Sequence, residues 1–482
     1  MTIFHACTSP GLVSGTTVRP LTRRGLSRIR RSPTCGAPTR SSSGSRSEDG
    51  PMSQPPGHSA NGPDPVPAGP ATEPAVPARV GWGFVALYAL AYAGAALLFI
   101  APLLVSLALK VNSLVGIERA PTSLALVTGI GSLLAIVANP FFGRLSDRTT
   151  SRFGMRRPWM LTGLIGGSAG ILTVALAPNV ALVVVGWCTA QIFFNAVLAS
   201  LAAVLPDQVP TAQRGLVSGI LAVCLPAASV AGTFLVQAFD RSQLTMLLVP
   251  CLVGGSVVLA FIARLNDRRL DAADKPRWSL REFAGTFYVN PRKSPDFAWA
   301  FASRFMLVMA YAFLTTYQTY YLLEQIGSTE QDVPHQIYLG TVTQSCALVA
   351  AALVTGRLSD RTGRRKIFVL IAAVVYGLAL FVIAGAGDVD GYLVGMAIGG
   401  LGFGMYMAVD LALVVDVLPD RDHAAKDLGV INIAGALPFS LAPGIAPTIL
   451  NLSGGSYGIL FTVAGACAIC GAVAILPIRA AR

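Results

Sequence analysis

Gly143-Arg144-Leu145-Ser146-Asp147-Arg148-Thr149 recurs, spelled identically, at Gly356-Arg357-Leu358-Ser359-Asp360-Arg361-Thr362, 213 residues further along the chain. The same displacement carries Val204-Leu205-Pro206-Asp207 onto Val417-Leu418-Pro419-Asp420, and Ala212 onto Ala425. Two separate segments sharing one displacement argue for a duplicated body, because chance would not keep the register between them. Whatever fold one copy takes, the other is expected to repeat it.

The medium for that fold follows from composition. Only 12% of the 482 residues are Asp, Glu, Lys or Arg and 53% are hydrophobic, against about 25% charged in a soluble domain. Mean hydropathy is +0.62, and a water-exposed fold would have to display apolar patches that soluble monomers do not tolerate. Twelve apolar runs of about 20 residues, each able to cross a ~30 Å hydrocarbon core as a helix, are expected near 83–109, 122–142, 158–177, 180–204, 215–238, 243–263, 297–322, 336–356, 367–386, 391–416, 428–450 and 456–477. The expected class is therefore an all-α integral membrane protein of twelve transmembrane helices, arranged as two parallel six-helix repeats about an axis along the membrane normal. Residues 1–81 read as a disordered basic tail, 82–263 and 297–478 as the two bundles, 264–296 as a polar linker, and 479–482 as the carboxyl end. The Arg-rich start of the tail has the composition of a transit peptide, while Met52 offers an alternative translation start.

The net charge of +12 suggests nucleic acid until its placement is read. With both termini cytoplasmic, 23 Lys and Arg fall in cytoplasmic loops or the carboxyl end, and three (Lys110, Arg119, Arg241) fall outside. That bias is the positive-inside pattern of a plasma-membrane protein, and nothing forms the basic, aromatic-interleaved face that nucleic acid requires. Six of the eight Cys lie inside apolar runs, as small buried hydrophobes. Cys467 and Cys470 have a metal-like spacing but no second ligand pair, so no metal is expected. The body's two His, His335 and His423, fall in loops, and no phosphate loop or nucleophile elbow occurs. Neither an enzyme nor a bound cofactor is implied.

Physically, the repeated heptapeptide reads as a tight cytoplasmic joint. Gly143 and Gly356 would let helices approach, Asp147 and Asp360 would pair with Arg148, Arg361 or nearby basic groups, and the whole would act as a latch that breaks as the halves rock. At these residues the chain resembles the major facilitator superfamily, whose signature between helices 2 and 3 reads roughly Gly-x-Leu-x-Asp-Arg-x-Gly-Arg-Arg/Lys. Gly356, Leu358, Asp360, Arg361, Gly363, Arg364 and Arg365 fit it, and the first copy carries an insertion before Gly154, Arg156 and Arg157. The longer form, Ser146 to Pro158, together with Asp427-Leu428-Gly429-Val430-Ile431-Asn432, is similar to the sucrose–proton symporters and their bacterial relatives of the glycoside-pentoside-hexuronide group. Those plant carriers bear an acid and an Arg on helix 4, where this chain has Gln191 and Ala202. Sucrose itself is thereby put in doubt, although a neutral polyol could hydrogen-bond to Gln191 and Asn195.

An ionisable group within a span needs a reason, since insertion costs about 2.5–3.5 kcal/mol. Arg304, Tyr311, Thr315 and Gln318 share one face of helix 7 and fit a wet central cavity, and Arg304 could hold an anion, pair with a proton-carrying acid, or snorkel to the interface. Asp410, in mid-run after Gly399, Gly400, Gly402 and Gly404, is the leading proton carrier. Tyr88, Tyr92, Gln191, Asn195, Gln344 and Asn432 could line a cavity for a neutral solute, or serve as helix–helix glue. Tyr317, Tyr320 and Tyr321 would add aromatic faces, and Pro443 with Gly444 is the expected hinge. The function expected is alternating-access transport by a monomer in membrane lipid, as proton-coupled uptake of a sugar or glycoside. Proton-driven efflux of a drug or metabolite is the alternative, weakened because Val223-Cys224-Leu225-Pro226-Ala227-Ala228-Ser229 lacks the Gly-Pro signature of drug antiporters.

Overall fold

The structure is a computed structural model that describes residues 79–270, 294–417 and 424–478, with the side chains of 411, 415, 416 and 424–429 left aside. Most of the tail, the centre of the linker, Pro419, Asp420, His423, the carboxyl end and the side chains of Asp416 and Asp427 fall outside that description.

Among the described residues, twelve helices are long and apolar enough to cross a membrane. In the first half they are α1 (Trp82–Val115), α2 (Ala120–Asp147), α3 (Arg157–Leu176), α4 (Val180–Gln208), α5 (Thr211–Ala238) and α6 (Gln243–Arg264). In the second they are α7 (Pro295–Glu324), α8 (Val333–Thr362), α9 (Arg365–Gly385), α10 (Val389–Asp416), α11 (Ala424–Ala436 and Pro438–Leu452) and α12 (Tyr457–Ile475). The apolar runs fix where each helix crosses, and polar residues close the ends. Asn179 accepts from Leu182 N–H at the start of α4, Asp388 from Gly391 N–H at α10, and Ser242 forms a capping box with Thr245 at α6.

Each packed pair recurs six helices later. The pairs α1–α5, α1–α6, α2–α4, α3–α4 and α3–α6 have counterparts in α7–α11, α7–α12, α8–α10, α9–α10 and α9–α12, and the halves meet through α2–α11 and α5–α8. The 213-residue repeat is thus a repeat of packing. Small residues permit it where backbones touch: a Cβ on Gly170 would lie 2.6 Å from the Gly186 carbonyl, closing α3 onto α4. Outward-facing side chains such as Leu252, Val354 and Ile165 are exposed in the isolated chain, as lipid-facing residues should be.

Three expectations about local structure are corrected. The heptapeptide is not a loop: Gly143 to Asp147 and Gly356 to Thr362 form the last turns of α2 and α8, and the chain turns only afterwards, at Gly154 (φ 103°) and Gly363 (φ 64°). The break in α11 falls at Leu437, before Pro438, while Pro443 and Gly444 lie inside a continuous helix; Pro438 has no N–H to continue the ladder. Lys110 is no loop residue. It sits in the last turns of α1, buried, and donates from Nζ to the Ala175 carbonyl (3.1 Å) at the carboxyl end of α3, where a cation meets the negative end of the helix dipole.

Candidate functional site

The two membrane charges singled out from sequence are brought together. Nη1 of Arg304 on α7 donates to Oδ2 of Asp410 on α10, and both residues are more than nine-tenths buried. Arg304 is therefore not snorkelling: its charge is neutralised at depth, and an unpaired one would cost several kcal/mol. The neutralisation is one-sided. Nε of Arg304 is buried without a hydrogen-bond partner. A Cβ placed on Gly435 of α11 would lie 3.4 Å from Nη2 and 3.5 Å from Nε. Tyr406, one turn before Asp410, lies beside the pair, with its buried hydroxyl close to the Asp410 carboxylate.

Aromatic rings extend from this pair. Tyr311 of α7 stacks on Phe403 of α10 at 4.4 Å between centroids with planes 8° apart, and meets Phe439 of α11 edge-on at 6.1 Å. Tyr376 of α9 and Tyr406 complete the cluster around Phe403. The buried Tyr376 hydroxyl and the Nε2 of Gln344 are also without partners.

The helix-7 stripe shares a face, as its spacing requires, but that face lies against α10 rather than an open cavity. Arg304 meets Asp410, Tyr311 meets Phe403, and the Gln318 Oε1 accepts from the Tyr392 hydroxyl (3.1 Å). Thr315 bonds back to the Tyr311 carbonyl (3.0 Å) and is internally satisfied. Tyr317, Tyr320 and Tyr321 are fully buried and donate to the backbone carbonyls of Pro443, Ala108 and Ile383, so they hold helices instead of presenting faces to a solute.

In the first half, Tyr88 donates to the Leu201 carbonyl (2.7 Å) and stacks on Phe261, which fixes α1 to α4 and α6. Tyr92 is buried beside it on the same helix. Asn195 donates to the Gln191 carbonyl (2.7 Å) and accepts from Asn139 of α2 (3.2 Å), a partner the sequence reading missed. Asn432 on α11 is half-buried, one turn from Gly435.

At the heptapeptide end, the hub is Arg156, read from sequence as a basic neighbour and a position of the family signature, with no partner assigned to it. It pairs with Asp147 at 2.6 Å and Asp207 at 2.9 Å, and its Nη1 donates to Ser146, joining the ends of α2 and α4 to the start of α3. Burial disfavours its charge, but the two carboxylates outweigh that and hold its pKa above the ordinary value. Asp267, beyond α6, accepts from the backbone N–H groups of Arg156 and Arg157 (2.7 and 2.8 Å), capping α3 from outside. Burial raises its pKa, with those N–H groups and the Arg156 charge opposing. Gly154 is required there, since a Cβ would fall 2.2 Å from the Asp267 carboxylate. The Asp147–Arg156–Asp207 network ties helices within one half, so it is not itself a latch between halves. In the second copy Asp360, Arg361 and Arg364 are exposed. The close helix approach expected of the signature glycines is also absent. A Cβ on Gly143 would make ordinary contact with Ala199 (4.0 Å), and one on Gly356 meets nothing within 4 Å among the described residues.

At the opposite end the halves are joined. Thr319 and Tyr320 of α7 donate to the Leu104 and Ala108 carbonyls of α1, and Asn112 donates to Glu330. Leu104 lies in a π-helical turn, Pro102–Ser106, that interrupts α1. Such a turn loosens the regular ladder and leaves carbonyls open to outside donors.

Among the described residues, twelve spans in two equivalent sets, with charge buried between helices of one set, make this a multi-pass membrane protein of two repeated halves. The profile of the Major Facilitator Superfamily matches residues 77–443 and 332–482, and the chain belongs to that superfamily. It is similar to the "Multidrug resistance protein MdtL" of Klebsiella pneumoniae (strain 342), with 27% identity over 161 residues, 33% of this chain and 39% of that protein. It is also similar to the "Probable 4-methylmuconolactone transporter" of Cupriavidus pinatubonensis, with 38% identity over 116 residues, 23% and 26% of the two chains. The chain thus spans well under half the length of these curated relatives. Among solved structures, a point mutant of the nucleoside transporter NupG superposes with a TM-score of 0.67 at 12% identity, over 82% of this chain and 99% of that one. A bacterial homologue of the human lysosomal transporter Spinster gives 0.61 at 13% identity, over 83% and 99%. These likenesses establish the fold, and none of them singles out the sucrose–proton symporter branch.

Proposed function

We propose that the chain is a proton-coupled secondary transporter of a small organic solute with an apolar, ring-bearing body, working by alternating access of two six-helix bundles, 82–263 and 297–478. The observation that carries this reading is the buried Arg304–Asp410 pair beside the Tyr311, Phe403, Phe439 cluster. Asp410 is the proton carrier, and Arg304 sets when it can be protonated. The heptapeptide ends and both termini face the cytoplasm, the membrane is the plasma membrane, and the working unit is a monomer.

A sugar is a weaker fit than the sequence suggested. Sugars need many free neutral donors and acceptors, yet Gln318, Tyr317, Tyr320 and Tyr88 are bonded to other helices. The named substrates of the relatives, drugs and a muconolactone, agree better with aromatic walls. Export of such a compound is the second reading, favoured by the multidrug-resistance relatives.

Reconstituted vesicles test the reading. Asp410→Asn is expected to abolish solute accumulation driven by a pH gradient while sparing exchange at equilibrium. Uphill transport at the wild-type rate in that variant would remove Asp410 from the coupling.

A further inference from the structure

We infer that the solute bound at this site carries a carboxylate, which takes the unpaired edge of Arg304 when Asp410 is protonated, so that anion and proton travel together. The inference rests on the proposed proton-carrying role of Asp410 and adds the chemistry of its cargo.

A guanidinium offers a carboxylate two parallel N–H donors. In Arg304, Nη1 is committed to Asp410, while the side-on fork of Nε and Nη2 faces Gly435. A Cβ there would be closer to both nitrogens (3.4 and 3.5 Å) than to Cζ (3.9 Å), so it would lie at the outer edge of the fork rather than over its face. A glycine at 435 keeps that edge clear. Arg304 is 8% exposed, and the Nε proton is buried and unsatisfied, a cost that a ligand oxygen would remove.

Charge balance then links the two events. In contact with Asp410 are Arg304 from α7 and Tyr406 from α10 itself. α11 brings Gly435 to the pair, and α9 brings Arg365, whose guanidinium donates to the Ala412 carbonyl (3.0 Å) two residues along α10 from Asp410; α8 meets α10 earlier, with Gln344 at Gly400 and Leu348 at Gly404. Protonating Asp410 on an empty carrier would strand the Arg304 cation at depth. A solute carboxylate restores neutrality, so each ligand favours the other. When the anion leaves, Asp410 gives up its proton and re-forms the pair. The stacked Tyr311 and Phe403 rings, about two helical turns or roughly 10 Å along α7 from Arg304, supply walls for an apolar body.

The test uses the full chain in nanodiscs with cinnamate as probe and cinnamamide as its neutral isostere. Calorimetric titration in two buffers of different ionisation heat reads the protons taken up. Wild-type protein is expected to take up close to one proton per cinnamate and to bind it more weakly as pH rises. Asp410→Asn mimics the protonated acid and should bind cinnamate at least about tenfold more tightly than wild type at neutral pH, without proton uptake. Gly435→Ala, which blocks the fork but leaves Asp410 in place, should weaken cinnamate at least about tenfold, with folding checked by circular dichroism and gel filtration. Cinnamate that binds Asp410→Asn no better than cinnamamide does overturns the inference. So does a Gly435→Ala protein that is folded and binds cinnamate as wild type. Either result leaves proton coupling through Asp410 standing, because that is decided by gradient-driven accumulation of whatever solute is carried.

Discussion

Replacing Arg156 should cost more than replacing any signature residue beside it. Its guanidinium is 5% exposed and reaches Asp207, 21% exposed, and Asp147, 51% exposed. A hydrogen bond to a charged partner contributes about 1.5–3 kcal/mol where water is excluded, which applies to Asp207. The Asp147 contact is half in solvent and is discounted to about 0–1 kcal/mol. Arg156→Ala is therefore expected to destabilise the protein by roughly 3 kcal/mol, part of it from leaving Asp207 without its partner. Arg156→Lys should recover less than half, because one ammonium cannot span both carboxylates and Ser146. Thermal unfolding in a fixed detergent, for Arg156→Ala, Asp207→Asn and the double variant, gives the coupling between the two sites. Coupling of about 1 kcal/mol or more is expected for residues in one network. Strictly additive losses would refute the hub and reduce Arg156 to a topology signal.

The signature glycine at 356 should accept alanine with no loss and a gain of up to about 1 kcal/mol in Tm experiments, since a Cβ meets open space in a helix. Gly404→Ala should lose folded protein, because its Cβ would fall 2.2 Å from the Leu348 carbonyl; equal yields would undo the account of α8–α10 packing. Asp267 has its folded pKa raised by burial, so its contribution is full below the unfolded value of about 4 and is lost as pH rises through the folded value. Asp267→Asn keeps an acceptor for both N–H groups and should flatten the fall in Tm with pH across that window; an unchanged slope would assign the pH dependence elsewhere. Thr319→Val with Tyr320→Phe removes two of the bonds between α7 and α1, each worth about 1 kcal/mol. Faster thiol labelling of a cysteine placed at Ser113 would show the joined end opening more often, and slower labelling would contradict the clamp.

The helices were legible because a span needs only length and apolarity, and the repeat fixed their pairing. Partnership was harder. The spacing of Arg304, Tyr311 and Gln318 put them on one face, but a helix face can meet water or a neighbour, and only the rotation of α7 about its axis shows that it meets α10. Lys110 read as a loop residue because charge ends an apolar run, yet α1 continues beyond it to bring its ammonium under the end of α3. Asp207 was marked by the repeat, while its partner Arg156 was hidden in a basic cluster where every arginine looked equivalent. Gly435 carries no signal at all: a missing side chain matters only once something is seen facing it.

The duplication also shows where the two halves differ. α1 and α7 begin 213 residues apart, at Trp82 and Pro295, so the displacement that aligns the heptapeptides aligns these helices as well. It places Ala91 opposite Arg304 and Val197 opposite Asp410, both fully buried. The scaffold is symmetric and the charge is not. On the proposed coupling through Asp410, the proton has no equivalent site in the first half to pass to, and the second half carries it. Restoring the symmetry with Ala91→Arg and Val197→Asp would bury a second pair in a packed core that has no unpaired space for it. Such a protein should fail to fold, whereas Arg304→Ala with Asp410→Val, which copies the first half's apolar pair into the second, should fold and lose all solute accumulation driven by a pH gradient. Retained gradient-driven accumulation in that variant would show that the coupling lies outside this pair.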